Sequence, residues 1–317
     1  MNKNWIYGIA FWWIIAAFVF GCQPKVKLCS EEGYIDVTGG KVWYRIVGEG
    51  EEIPLLLLHG GPGFPSYYLN PLAELSKERP IIFLDQLGCG RSDDNSDTTL
   101  MTVDAFVEQL EQFTSALGLK QFYLYGHSWG TMLGIDYYLK YPDKVKALVF
   151  ASPALSVSRW VSDCRELIAT LPDSVQIAIE IGEKSNNYES PEYQQAVNLF
   201  YQNFVARKLP WDANMDSTFT DAGIEIYNYM WGPSEFTASG TLRDYERTDK
   251  LAEIMMPSLF ICGEFDEARP STVQYYQSLT PGAKFEMIEK AAHVTMHDNP
   301  VQNVKVIADF LSEIEDN

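Results

Sequence analysis

The stretch YGHSWGTM at residues 125–132 places a serine, Ser128, between two glycines. It follows the apolar run at 122–125, which is typical of a buried strand, and leads into 132–139, whose spacing favours a helix. A sharp turn from strand to helix needs neighbours without side chains, because the serine backbone is strained and packs closely. The turn would present the hydroxyl at a helix N-terminus, which favours developing negative charge. Taken alone, the motif fits a nucleophile and a helix-capping serine equally well.

Strand and helix patterns alternate on both sides of this motif. Residues 34–37 and 41–47 alternate in polarity around a glycine pair and predict a hairpin. Residues 103–117 place their apolar side chains on one helical face. The alternation predicts an α/β fold with a mostly parallel central sheet flanked by helices. The solidly apolar runs expected to form its buried strands lie at 55–58, 81–84, 122–125, 147–150 and 258–262.

The alternation stops after Ser152. The following segment is rich in Tyr, Trp, Asn, Gln and Glu, with helical spacing at 190–207 for example. We interpret it as a helical lid, or cap, inserted into the sheet domain, an organisation that 317 residues can support. The predicted core is 34–152 and 248–317, and the predicted cap is 153–247.

The first 22 residues have the pattern of an export signal. Lys3 precedes the uncharged residues 5–21, and Cys22 follows them. The sequence VFGC at 19–22 resembles the lipobox of bacterial lipoproteins, in which the cysteine is lipid-modified and the signal is cut just before it. We expect a lipidated Cys22, with an uncleaved N-terminal anchor as the alternative and 23–33 as a linker. Both interpretations predict an exported, membrane-attached protein on the periplasmic or cell-surface side.

Composition excludes several classes of function. The formal net charge of -19, from 24 basic and 43 acidic residues, argues against a nucleic-acid partner. The four cysteines after Cys22 match no zinc spacing, so we expect no metal and no cofactor. Cys262 lies in an apolar run, where a buried free thiol is expected. The other three are Cys29, Cys89 and Cys164.

A serine nucleophile needs a base, and the sequence contains four histidines. His127 adjoins Ser128 in the turn and His59 lies in a glycine loop, so neither is well placed to reach the hydroxyl. His293 follows the last strand-like run and is the predicted base. We interpret His297 as a solvated or helix-capping residue.

The imidazole in turn needs a buried carboxylate to fix its tautomer. Asp266 lies in the loop after the strand predicted at 258–262, at the end of the sheet where α/β folds collect functional groups. The alternative role for Asp266 is a cap for the helix near Ser271. The order Ser128, Asp266, His293 is the order of the α/β-hydrolase fold, which we therefore predict.

Acyl transfer also requires amide donors for the developing oxyanion. The loop HGGPG at 59–63 offers bare backbone that a substrate carbonyl can approach. One donor is expected from Gly60 or Gly61, with Gly61 preferred, and the other from Trp129, the residue after the nucleophile.

Five short motifs of the chain are informative when they are taken together. They are HGGPG at 59–63, DQLGCGRS at 85–92, GHSWG at 126–130, GPSEF at 232–236 and GEFDE at 263–267. Together they resemble the proline iminopeptidases, serine peptidases that remove an N-terminal residue, preferably proline. In that family two glutamates hold the free amine of the substrate, and the matching positions are Glu235 and Glu267. The resemblance implies a serine exopeptidase that forms an acyl-enzyme with peptide or aminoacyl substrates. Recognition of a charged amine leads us to expect both carboxylates to stay ionised.

Two other functions are compatible with the sequence. An esterase or amidase would use the same triad on small acyl or aminoacyl substrates, and an esterase with an apolar acyl pocket would lack paired carboxylates near the site. A ligand-binding protein that retains the hydrolase fold would lack turnover, because fold alone does not fix function. Epoxide hydrolases and dehalogenases are disfavoured because they carry an aspartate where Ser128 stands.

Overall fold

One sheet of eight strands forms the centre of residues 27–316, the part of the chain that this computed structural model describes. The strands are β1 (Glu31–Val37), β2 (Gly40–Val47), β3 (Leu55–Leu58), β4 (Ile81–Asp85), β5 (Phe122–His127), β6 (Val145–Ala151), β7 (Ser258–Gly263) and β8 (Lys284–Ile288). Their order across the sheet is β1-β2-β4-β3-β5-β6-β7-β8. Strands β3 to β8 are parallel, and β1 and β2 form an antiparallel edge. The predicted mostly parallel α/β sheet is confirmed.

The central strands are apolar because helices cover both faces of the sheet. Every residue of β3, β4, β5 and β7 is buried. The predicted hairpin is also confirmed, but β1 begins at Glu31, inside the segment 23–33 that was predicted as a linker. Residues 31–33 pair with Tyr44, Arg45 and Ile46, so backbone pairing extends the strand although these residues are polar or small.

Helices flank the sheet and build the cap. Those of the core are α1 (Val103–Ala116), α2 (Trp129–Lys140), α8 (Pro270–Leu279), α9 (Thr295–Asp298) and α10 (Pro300–Glu315); 3₁₀ turns occupy Ser66–Lys77, Thr98–Leu100, Pro142–Lys144 and Thr248–Glu253. Between β6 and β7 the chain forms α3 (Val157–Ile168), α4 (Asp173–Ser185), α5 (Pro191–Phe204), α6 (Ala213–Thr220) and α7 (Ile224–Met230). These five helices lie within the segment predicted as a cap.

The predicted signal at 1–22, including Cys22, lies outside the described residues. Within 27–316 no helix combines the length and the apolar composition that a membrane crossing needs. Cys262 is a buried free thiol, as predicted, and three more cysteines of this part of the chain are free.

Candidate active site

Ser128 lies at the turn between β5 and α2 with φ = 54° and ψ = -120°. A positive φ is rare for a residue with a side chain and costs on the order of 1–3 kcal/mol, so the surrounding structure must impose it. A Cβ atom on Gly126 would collide with the carbonyl of Gly130, which explains the glycines of the motif. Ser128 occupies the N-cap position of α2, but its hydroxyl caps no amide. The hydroxyl is therefore not used for helix capping.

Asp266 and His293 form a buried acid–base pair. Asp266 Oδ1 lies 2.9 Å from His293 Nδ1 and accepts a hydrogen bond from the amide of Ala268 at 2.8 Å. The other oxygen, Oδ2, accepts from the hydroxyl of Ser152 at 2.6 Å and from the amide of Gly263 at 3.1 Å. Since an ionised carboxylate only accepts, His293 carries its proton on Nδ1, and Nε2 remains available as a base.

Ser128 and His293 line the same cavity, which has a volume of about 50 Å³. The structure describes no direct hydrogen bond between the hydroxyl of Ser128 and this imidazole. Contacts of this kind are often long in an empty site and tighten when substrate binds. The His293 ring packs against Trp160 in a T-shaped arrangement, with ring centroids 5.4 Å apart and 82° between the ring planes. This packing restricts the imidazole to the wall of the cavity.

Sequence reasoning did not find the role of Ser152, which directly follows β6 at the carboxyl end of the sheet. Its hydroxyl also lies 2.9 Å from the carbonyl oxygen of His293, so it contacts both members of the acid–base pair. A polar residue just after a buried parallel strand was the available signal.

The structure distinguishes between the two glycines proposed for the oxyanion site. The amide of Gly60 donates to the phenol oxygen of Tyr68 at 2.7 Å and is therefore already used. The amide of Gly61 is left as the donor from this loop. Trp129 is the first residue of α2, so its amide has no acceptor one turn earlier in the helix. Both amides can serve a developing oxyanion.

His127, which adjoins Ser128, links the hydroxyl of Tyr68 to the backbone of His293. Its Nε2 lies 3.0 Å from the carbonyl oxygen of His293, which can only accept, so Nε2 carries the proton. Its Nδ1 lies 2.8 Å from the hydroxyl of Tyr68, which donates to it. Burial, followed by the nearby charge of a protonated His293, holds the pKa of His127 well below its usual value. His127 therefore stays neutral, and its two ring nitrogens hold Tyr68 and the backbone of His293 in fixed positions.

Two buried carboxyl groups, those of Glu235 and Glu267, interact with the imidazole of His293. Glu267 is 0% exposed, and neither of its carboxylate oxygens has a hydrogen-bond partner in the described structure. Its Oε1 is 3.9 Å from His293 Nδ1. Glu235 lines the cavity and accepts a hydrogen bond from the hydroxyl of Tyr227 at 2.8 Å. The structure therefore brings both carboxyl groups close to His293.

Burial raises the pKa of Glu235, and the charge of His293 and the bond from Tyr227 oppose that rise. Burial raises the pKa of Glu267 further, well above its usual value, and the charges of Glu235 and Asp266 add to the effect. Desolvation therefore works against ionisation of both carboxyl groups, and the charges of Glu235 and Asp266 oppose ionisation of Glu267 further. A bound cation would favour ionisation of both groups.

The end of the cap helix α5 holds the loops that carry Glu267 and His293 by backbone hydrogen bonds. The carbonyl of Phe204 accepts from the amides of His293 at 3.1 Å and Glu267 at 3.3 Å. The carbonyl of Val205 accepts from the amide of Val294 at 2.8 Å. These carbonyls at the helix C-terminus have no partner within the helix, so they are free to position the loops of the core.

His297 differs from its sequence interpretation. It is buried in α9, with Nε2 3.1 Å from the carbonyl oxygen of Lys208 and Nδ1 3.5 Å from a carboxylate oxygen of Asp212. It is neither solvated nor a helix cap, because the segment between α5 and α6 covers it. It therefore joins this segment to the core.

Comparison with known proteins extends over both the core and the cap. A model of the alpha/beta hydrolase fold family matches residues 53–300. The chain is 46% identical over 287 residues to a proline iminopeptidase of Heyndrickxia coagulans, covering 89% of this chain and 99% of that one. It is 35% identical over 302 residues to a proline iminopeptidase of Saccharolobus solfataricus, covering 94% and 97%. The crystal structure of a proline iminopeptidase from Mycobacterium smegmatis superposes with a TM-score of 0.83 and 29% identity, covering 90% and 98%.

Proposed function

Since the chain belongs to the proline iminopeptidases of the alpha/beta hydrolase fold, we propose that it releases an N-terminal residue, preferably proline, from peptides. The observation that carries this proposal is Glu267, a buried carboxyl group without a hydrogen-bond partner beside the catalytic histidine. A buried carboxylate of this kind is unfavourable unless a ligand supplies a positive charge. The protonated amine at the start of a peptide is such a charge. An esterase for apolar acyl groups would have no use for it.

The reaction follows from the positions of the groups. Ser128 attacks the first peptide carbonyl while His293 takes the proton from the hydroxyl and passes it to the leaving amine. Asp266 orients His293 and stabilises its charged form. The amides of Gly61 and Trp129 stabilise the oxyanion, and loss of one such donor typically lowers turnover by a factor of about 10² to 10³. Water then attacks the acyl-enzyme, with His293 again as the base.

The acid limb of kcat/KM should lie at higher pH for proline-naphthylamide than for an ester without an amine, such as 4-nitrophenyl acetate. Binding of an ammonium group requires ionised Glu235 and Glu267, and the pKa values of both are raised by burial. As the pH falls through these raised values, the carboxylates become protonated and amine binding is lost. Hydrolysis of an ester without an amine does not require these two carboxylates to be ionised. Parallel pH profiles with both substrates test this prediction.

The control is Glu235→Gln, which should lower kcat/KM for proline-naphthylamide and bring its acid limb towards that of the ester. N-acetylproline-naphthylamide, which has no free amine, should be a poor substrate of the unmodified enzyme. Superimposed profiles, or equal hydrolysis of free and acetylated substrates, would remove the assigned role of the two glutamates.

For the N-terminus, we propose attachment to a membrane on the non-cytoplasmic side through a lipid on Cys22. The support is the apolar signal-like segment that ends in VFGC at 19–22. Mass spectrometry of the membrane fraction should find a lipid-modified N-terminal Cys22, and Cys22→Ser should abolish that modification. Cys29→Ser, a change at an exposed free cysteine, should leave it intact. An intact Met1 in the membrane fraction would contradict lipidation and favour an uncleaved anchor.

A further inference from the structure

A second cavity lies on the cap beside the chamber that contains Ser128. Its volume is about 640 Å³, against about 50 Å³ for the chamber. It lies between α5 and the segment that carries α6 and α7, and we call it the outer groove. Phe64, Tyr201 and Phe219 line both cavities, so the two are separated by one layer of aromatic side chains.

The boundary between the cavities lies beside the reacting bond. Phe64 directly follows the oxyanion loop, and its amide donates to the carbonyl of Gly60 at 3.3 Å. The Phe64 ring packs edge-on against Phe219, with centroids 5.4 Å apart, and against Tyr227, with centroids 5.1 Å apart. A chain that leaves the chamber past these rings therefore enters the outer groove next to the scissile carbonyl.

The two volumes differ in what they can hold. Ligand pockets usually measure about 300–1,000 Å³, a range that includes the outer groove but not the chamber. The chamber is therefore suited to a single small residue and its amine. The remainder of a peptide must lie elsewhere.

The lining of the outer groove suits a peptide backbone. Trp211 stacks on Phe219 with centroids 4.9 Å apart and only 8° between the planes, which makes a flat apolar surface. Asn198 of α5 and Asn228 of α7 border the groove with exposed side-chain amides, which can both donate and accept hydrogen bonds. Among the described lining residues only Glu189 is charged, so a terminal carboxylate finds no cationic partner there.

We propose that the outer groove binds the part of a peptide substrate that follows the first residue. This inference rests on the proposed function, because it places the first residue in the chamber with its amine at Glu235 and Glu267. The amide and aromatic lining, which contains no cationic side chain among the described residues, favours peptides that are several residues long or that end in an amide. The enzyme would therefore cleave such peptides more efficiently than a simple proline amide.

The test compares prolinamide with the amidated tetrapeptide Pro-Ala-Ala-Ala-amide. Asn198→Trp places a large side chain in the groove at an exposed helical position, where the fold tolerates it. This variant should lose roughly fivefold to tenfold in kcat/KM for the tetrapeptide and keep its value for prolinamide. The matched control is Gln195→Trp, at an exposed position of the same helix that does not line the groove, and it should change neither value.

The possible outcomes separate failure of the groove inference from failure of the proposed function. A wild-type enzyme that cleaves the tetrapeptide no better than prolinamide overturns the groove inference and leaves the proposed function standing. Equal losses on both substrates in Asn198→Trp, or no loss on the tetrapeptide, also overturn it. Failure of the wild-type enzyme to cleave either substrate would instead remove the proposed function, and the groove inference with it.

Discussion

Ser128→Ala is expected to lower kcat/KM for proline-naphthylamide by a factor of about 10⁴ to 10⁶. The substitution removes the only atom proposed to form the acyl-enzyme, while the oxyanion amides and the amine site remain. Alanine and serine both carry a Cβ atom and meet the same strain at this positive φ. The backbone of the turn should therefore be retained. Steady-state kinetics and covalent labelling by a fluorophosphonate, followed by peptide mapping, measure the two consequences.

The control for this prediction is Ser271→Ala, which changes an exposed serine at the start of α8. It should keep wild-type turnover and wild-type labelling. Retention of wild-type activity by Ser128→Ala would exclude the serine mechanism, and labelling at another residue would assign the nucleophile there.

The fold and the reacting groups were accessible from sequence because their signals are local. The glycines around Ser128 reflect a steric requirement within a single turn, and solid apolar runs identify strands that are covered on both faces. The positions of Asp266 and His293 follow from the rule that loops after parallel strands meet at one edge of the sheet. Each of these inferences needs only a short window of sequence.

The supporting hydrogen bonds were not accessible because their partners are distant in the chain. Ser152 contacts Asp266, His127 contacts the carbonyl of His293, and Tyr68 contacts His127, yet no short pattern connects these residues. The ionisation state of a side chain is even harder to predict from sequence. Glu267 has the appearance of an ordinary surface charge in the sequence, and its raised pKa depends on burial by the assembled core and cap.

Glu267→Gln is expected to change activity and stability in opposite directions. It should lower kcat/KM for proline-naphthylamide by roughly 10²-fold, because removal of one partner of a buried charge pair costs about 2–5 kcal/mol. Hydrolysis of 4-nitrophenyl acetate, which lacks an amine, should change far less. At neutral pH, the same variant should melt a few degrees above the wild-type enzyme, since about 1 kcal/mol corresponds to a few degrees for a chain of this size.

The sign of the stability effect follows from proton binding. The pKa of Glu267 in the folded protein is well above its unfolded value of about 4.3, so the folded state binds the extra proton. The stability from this group is complete below the unfolded value and is lost as the pH rises towards the folded one. Glutamine never ionises, so its advantage in Tm should be largest at neutral to alkaline pH and disappear near pH 4.

Thermal melts of both proteins between pH 4 and pH 8 test this argument, with Glu286→Gln as the control. Glu286 carries an exposed carboxyl group on β8. Its replacement should leave both Tm and turnover close to the wild-type values. A lower Tm for Glu267→Gln at neutral pH, together with equal losses on amide and ester substrates, would make Glu267 a structural residue. The expected result instead identifies a carboxyl group whose ionisation is unfavourable in the buried site and becomes favourable when an amine binds.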